Sequence, residues 1–176
     1  KRMIDSKEYT ELKERLSKKE LELVEVQDSI NNLTIQVVDS QPDKRESVTS
    51  KLRDALIERD IIKGEINILI DRCKIAYLKM FELALSQAET ERFKIAEKTN
   101  ELNTELDKVL RDKRVQMNSK PVFGADAERQ YIELESALAE KRAEAGIYRA
   151  KLDRARFAVQ RCEMELIQAK ETVSQW

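Results

Sequence analysis

The chain has 176 residues, of which 38% are charged, 41% hydrophobic and 5% aromatic, with only 3 glycines and 2 prolines. Sandwiches and doubly wound sheets need many turns and far more Gly and Pro, so this composition excludes them and points to long helices. With 33 basic and 34 acidic side chains the net charge is -1, so no global field draws the protein onto nucleic acid or anionic lipid.

The first predicted element is a helix over about 3–39. Stepping alternately three and four residues from Tyr9 meets Leu12, Leu16, Lys19, Leu23, Val26, Ile30, Leu33 and Val37, a heptad seam interrupted only by Lys19. Around Asp39-Ser40-Gln41-Pro42-Asp43 the periodicity stops. Pro42 ends the segment, and either Ser40 or Asp43 is expected to cap the next helix.

Helix 2 is expected over about 43–118. Its first half repeats through Val48, Leu52, Ala55, Arg59, Ile62, Ile66, Leu69, Cys73, Ala76, Met80 and Leu83. Its second half repeats through Phe81, Leu85, Ala88, Arg92, Ile95, Thr99, Leu102, Leu106 and Val109, a register displaced by two residues. At about 100° per residue, that displacement carries the apolar stripe roughly 160° around the helix. One partner cannot serve both halves, so two are expected. In the middle, Ile61, Ile68, Ile70, Ile75 and Leu78 lie outside either seam and make the helix apolar almost all round.

A second interruption runs from Asn118 to Asp126, where Pro121 cannot continue a helix, Gly124 permits a positive φ and Asp126 is positioned to cap the third helix. Helix 3, about 126–175, carries the most complete seam: Ala127, Tyr131, Leu134, Leu138, Lys141, Ala145, Tyr148, Leu152, Ala155, Val159, Cys162, Leu166, Ala169, Val173 and Trp176. Lys141 is its one break.

Together these elements predict an all-α fold, an elongated antiparallel coiled coil of three helices. The segments are 1–42 with the first turn, 43–119 for the long central helix, and 120–176 for the distal tip and helix 3. Short turns fold helix 1 back on the first half of helix 2 and helix 3 back on the second half, on opposite faces. At 1.5 Å per residue the two shorter helices together outrun the long one, so residues 3–12 and 162–176 are expected beside 71–84. The alternative is exchange of helix 1 or helix 3 between chains.

The inventory for chemistry is sparse. Histidine is absent, which removes the commonest general base, the commonest zinc ligand and every Ser-His or Cys-His pair. Cys73 and Cys162 stand 89 positions apart without a third partner, so they read as small buried hydrophobes rather than a metal knuckle or a disulfide. Paired acids such as Glu20 and Glu22, or Glu163 and Glu165, lack the Glu-x-x-His motif of bundle di-metal sites. No enzyme activity, cofactor or metal is expected. Charges interrupt the most apolar stretch, Ile61–Leu85, so no membrane span is expected either.

Candidate interaction residues fall in three places. Val122 and Phe123, between Pro121 and Gly124, are apolar groups at a hairpin tip, positioned either to dock a partner or to fold back as a staple. Ile68, Ile75 and Leu78 either lie under the three-helix overlap or form a contact with a partner or a second copy. Trp176 is placed to lock the end of helix 3 onto helix 2 or onto a neighbouring chain. The seam cations Lys19, Arg59, Arg92 and Lys141 are expected to fix register, their stems packed and their heads in water.

Helical hairpins of this kind occur in secretion stalks, condensin-type arms, toxin receptor-binding rods and phage or organelle assembly factors. The likeness is architectural and sets no function. The expected role is a non-enzymatic structural or adaptor subunit, a rigid spacer or scaffold held by protein partners in a larger assembly, without nucleic acid. The alternative is a regulatory inhibitor or a receptor- or enzyme-binding rod that docks through its tip. The chain opens at Lys1 rather than Met and is expected to be part of a longer polypeptide, in a cytoplasmic, virion or assembly-associated setting.

Overall fold

The computed structural model describes residues 7–119 and 124–176. It is all-α: α1 spans Lys7–Asp39, α2 Pro42–Ser119 and α3 Ala125–Ser174, with no strand among the described residues. The helices run where the heptads place them. The second begins at Pro42, and the third just after Gly124.

The α1–α2 turn is closed differently from the sequence expectation. Pro42 takes the first helical position, where its missing N–H costs nothing. The carbonyl of Gln41 then accepts from the amides of Lys44 at 3.0 Å and Arg45 at 3.1 Å. Neither Ser40 nor Asp43 acts as the expected cap. The Ser40 hydroxyl instead donates back to the Gln36 carbonyl, and Asp43 contributes as an acid in the first turn, where the helix dipole favours negative charge. At the other turn, Gly124 has φ 73°, and its carbonyl accepts from the amide of Glu128 at 3.2 Å. A side chain at that φ is strained, which is why glycine stands there. Asp126 lies one residue inside α3 and serves the dipole rather than the cap.

Contacts divide the chain into two units. The first comprises the described residues up to Glu82 together with Gln168–Trp176; the second is Leu83–Ile167. Within the first, α1 lies antiparallel on the leading half of α2. Leu12, Leu69, Cys73 and Ala76 form a buried cluster flanked by Tyr9 and Leu16. Every predicted seam position of α1 is at least partly buried, with Leu12 and Ile30 the deepest. On α2 the buried stripe is Ile62, Ile66, Leu69, Cys73 and Ala76. Leu83, predicted as its last member, is exposed.

Within the second unit, α3 packs antiparallel on the trailing half of α2. Leu102 is the most enclosed side chain, at 2% exposure, and Leu138, Ala145, Ala155 and Val159 line the α3 side. Thr99 is buried with its hydroxyl donating to the Ile95 carbonyl at 2.8 Å, so no polar group is left unsatisfied there. The stripe on α2 has thus moved to the displaced register, and α2 serves a different partner in each half.

Besides Leu83, two more seam positions depart from expectation. Arg92 stands exposed. Its spacing places the Cα at the seam, but an unpaired guanidinium gains more from water than from apolar neighbours. Tyr131, near the start of α3, is exposed as well.

Candidate interaction surface

Heptad arithmetic brings three sequence-distant segments together within the first unit, and aromatic side chains mark the meeting point. Tyr9 comes from the start of α1, Tyr77 and Phe81 from successive turns of α2, and Trp176 from the residues just beyond α3. Tyr77 is the hub. Its ring centroid lies 5.4 Å from that of Tyr9, 5.1 Å from Phe81 and 5.1 Å from Trp176, with tilted or edge-on geometries. Tyr9 and Trp176 stack at 6.2 Å with an interplanar angle of 17°. These are the separations at which ring quadrupoles attract.

The backbone supports the Trp176 position. The last turn of α3 tightens, with the amides of Gln175 and Trp176 donating to the carbonyls of Thr172 and Val173, both at 3.2 Å. Trp176 is therefore held onto α2 and α1 of its own chain, one of the two places the sequence allowed for it. It remains 43% exposed, so one face of the indole is open.

Beside this cluster lies a shallow groove of about 350 Å³ lined by Tyr9, Lys13, Leu16, Ile70, Cys73 and Trp176. The lining is apolar apart from the Lys13 ammonium, which sits 5.5 Å from the Tyr9 ring centroid. At the groove floor Cys73 is buried, and burial pushes its thiol above the ordinary cysteine value, with Lys13 pulling the other way. Cys162 on α3 is likewise raised, first by burial and then by the neighbouring Glu165. A thiol so shifted stays protonated and is a poor nucleophile. The groove offers shape and apolar contact rather than a reactive centre. The sequence places Ile70 off both seams, in the apolar middle of α2 where the helices are expected to overlap, but carries no sign of the groove, which forms only where side chains from three segments meet.

On another part of α2, Ile68 is 55% and Ile75 66% exposed, whereas Leu78 is half-buried. The overlap therefore does not cover the middle of α2 on this side. Ile75 borders a second depression with Glu8, Glu11, Leu12, Arg15 and Arg72, where α1 acids and bases rim the apolar side chain. The tip residues Pro121, Val122 and Phe123 lie outside the described residues.

The seam cations form cross-helix ion pairs at two places. Lys19 Nζ on α1 lies 2.7 Å from Glu65 Oε2 on α2 and 2.9 Å from Glu22 Oε2 on its own helix. The close contact with Glu65, and then the hydrogen bond to Glu22, holds its ammonium above the ordinary lysine value. In the second unit Lys141 Nζ reaches Glu105 Oε2 at 3.2 Å, and Arg149 donates to Asn103 at 3.4 Å on the same pair of helices. Arg59 stays on its own helix beside Asp60 at 3.4 Å.

Among the described residues no group of three or more His, Cys, Asp or Glu side chains is placed to hold a metal ion, and no helix is long and apolar enough to cross a membrane. No protein-family model, no curated protein and no solved structure matches the chain.

Proposed function

We propose that the protein is a non-enzymatic structural or adaptor subunit, a helical scaffold that works by being held between protein partners in a larger assembly. One observation carries this reading. Among the described residues, more large apolar side chains stand exposed than lie in the core, and they are spread over all three helices. Isolated exposed hydrophobics are ordinary on a soluble protein. Isoleucines recurring along one helix face are what a helix presents to another protein surface. The grooves beside them are shallow: the one by Trp176 is apolar apart from Lys13, and the acids and bases that rim the one by Ile75 are themselves exposed to water rather than enclosed around a small substrate.

Affinity capture from the native source, with mass-spectrometric readout, tests the reading. The wild type is compared with a Val122→Ser, Phe123→Ser variant and with an Ile75→Ser variant. Stoichiometric protein partners that survive the tip substitution and weaken with Ile75→Ser support a scaffold gripped along its helices. Partners lost only with the tip substitution make the protein a tip-docking inhibitor or receptor-binding rod instead. Recovery with no stoichiometric protein at all refutes both.

A further inference from the structure

Besides the stripe that packs on α1, the leading half of α2 carries a second heptad stripe. Ile57, Ile61, Gly64, Ile68, Ile75 and Leu78, with Asp71 between, succeed one another in steps of four and three. Its four isoleucines are each more than half exposed, and nothing in the protomer lies within 4 Å of a Cβ built at Gly64. Asp54 and Glu82, the next positions in either direction, end it. A glycine inside a helix costs about 1 kcal/mol relative to alanine, and no contact within the protomer makes use of the space it leaves.

The spacing of the stripe is symmetric about Ile68 to within one residue. When a second α2 is laid antiparallel on it, Ile61 meets Ile75 of the other copy, Ile57 meets Leu78, and Ile68 meets Ile68 on the two-fold axis. Gly64 then faces Asp71 of the other copy and leaves its carboxylate a path to water. The charges beside the stripe obey the same symmetry. Acids flank its leading half, Glu58, Asp60 and Glu65, and bases its trailing half, Arg72, Lys74 and Lys79. Antiparallel pairing sets Glu58 against Lys79, Glu65 against Arg72 and Asp60 against Lys74. In a parallel pair Asp60 would stand beside Glu65, and Lys74 beside Lys79, like against like. Charges at such flanking positions choose the orientation of a coiled coil.

From this we propose that two copies of the protein pair antiparallel through the Ile57–Leu78 face of α2, with Ile68 on the two-fold axis. Pairing removes the exposed isoleucines from water and supplies an opposite charge for each flanking acid. Three of these charges already have partners within the protomer: Glu65 holds Lys19, Lys79 lies 3.8 Å from Glu8 on α1, and Asp60 lies 3.4 Å from Arg59 on its own helix. All three side chains remain substantially exposed and keep room for a second contact. Glu11 and Arg15 of α1 border Ile75 and Arg72 and form the rim of the same face. The self-pairing stands whether or not a larger assembly surrounds the protein.

Sedimentation equilibrium of the full chain tests it. The wild type is expected at twice the 20.5 kDa chain mass at tens of micromolar. Ile68→Glu sets two carboxylates on the axis and should weaken the dimer by more than about tenfold in Kd, while circular dichroism shows the helices intact. Glu58→Lys and Lys79→Glu should each weaken the dimer alone, and an equimolar mixture of the two variants should recover it, because the mixed pair restores both attractions. A wild type that stays at the chain mass overturns the proposal, as does a dimer indifferent to Ile68→Glu. Failure of the mixture to recover pairing overturns the antiparallel orientation.

Discussion

Trp176 bears on Tyr9, across the junction of α3 with α1, through a stacked pair 6.2 Å apart. Replacing Tyr9 by alanine removes that pair and the 5.4 Å pair with Tyr77. Aromatic pairs contribute about 0.5–1.5 kcal/mol each beyond the area they bury, so with the lost burial of a half-buried ring the cost should be about 2–3 kcal/mol. Trp176→Ala also removes two ring pairs but exposes less new apolar surface, since the indole is already 43% exposed, and should cost about 2 kcal/mol. The double variant loses the shared pair once rather than twice. Its total should therefore fall short of the sum of the singles by about 0.5–1.5 kcal/mol. Urea unfolding followed by far-ultraviolet circular dichroism at one fixed protein concentration measures all four proteins, the fixed concentration keeping self-association constant. A shortfall below about 0.3 kcal/mol, the ordinary error of additivity, would mean that the two rings do not bear on each other and that α3 does not end against α1.

The core makes a sharper demand: Leu102→Ala, at 2% exposure, should cost about 2–5 kcal/mol, whereas Val115→Ala on the same helix, 67% exposed, should stay within about 0.5 kcal/mol, both read by urea titration. Lys19 has a raised pKa, so its contribution is fully present below the ordinary lysine value of 10.5 and is lost as pH rises through its higher folded value. The melting-temperature advantage of the wild type over Lys19→Gln should accordingly be present at pH 8 and fade in strongly alkaline buffer; an advantage that persists there would come from packing of the stem. In native protein at pH 8, Cys162, which is half-buried, should react with a maleimide faster than Cys73, at 3% exposure, and both should react alike in urea.

The heptads made the fold legible for a physical reason. A two-stranded contact is written into one stripe per helix, and a displacement of that stripe by two residues states that the partner has changed. Ile62 through Ala76 and Ile95 through Leu102 are buried or half-buried in the two registers the spacing specifies. Periodicity alone does not say whether a polar residue at a seam turns in or out. Lys19 and Lys141 lean across to Glu65 and Glu105, while Arg92, with the same spacing logic, turns to solvent. The start of α2 was equally hidden, because a backbone carbonyl, that of Gln41, and not the Ser40 or Asp43 side chain, takes the amides of Lys44 and Arg45. The junction was legible only in part. Helix lengths placed the start of α1 and the end of α3 beside the middle of α2, but the roles of Tyr77 and Ile70 depend on side chains off both seams, which no repeat marks.

Trp176 is the only tryptophan in the chain, and it sits half in water against two tyrosines. Its emission is thus an internal gauge of one place, where α1, α2 and α3 converge. Excitation absorbed by Tyr9 and Tyr77 passes to the indole only while the three rings stay together. A red shift with loss of that transfer reports that the end of α3 has lifted away, and a blue shift reports that a bound molecule has covered the open indole face. Events at this junction can therefore be followed without attaching a dye.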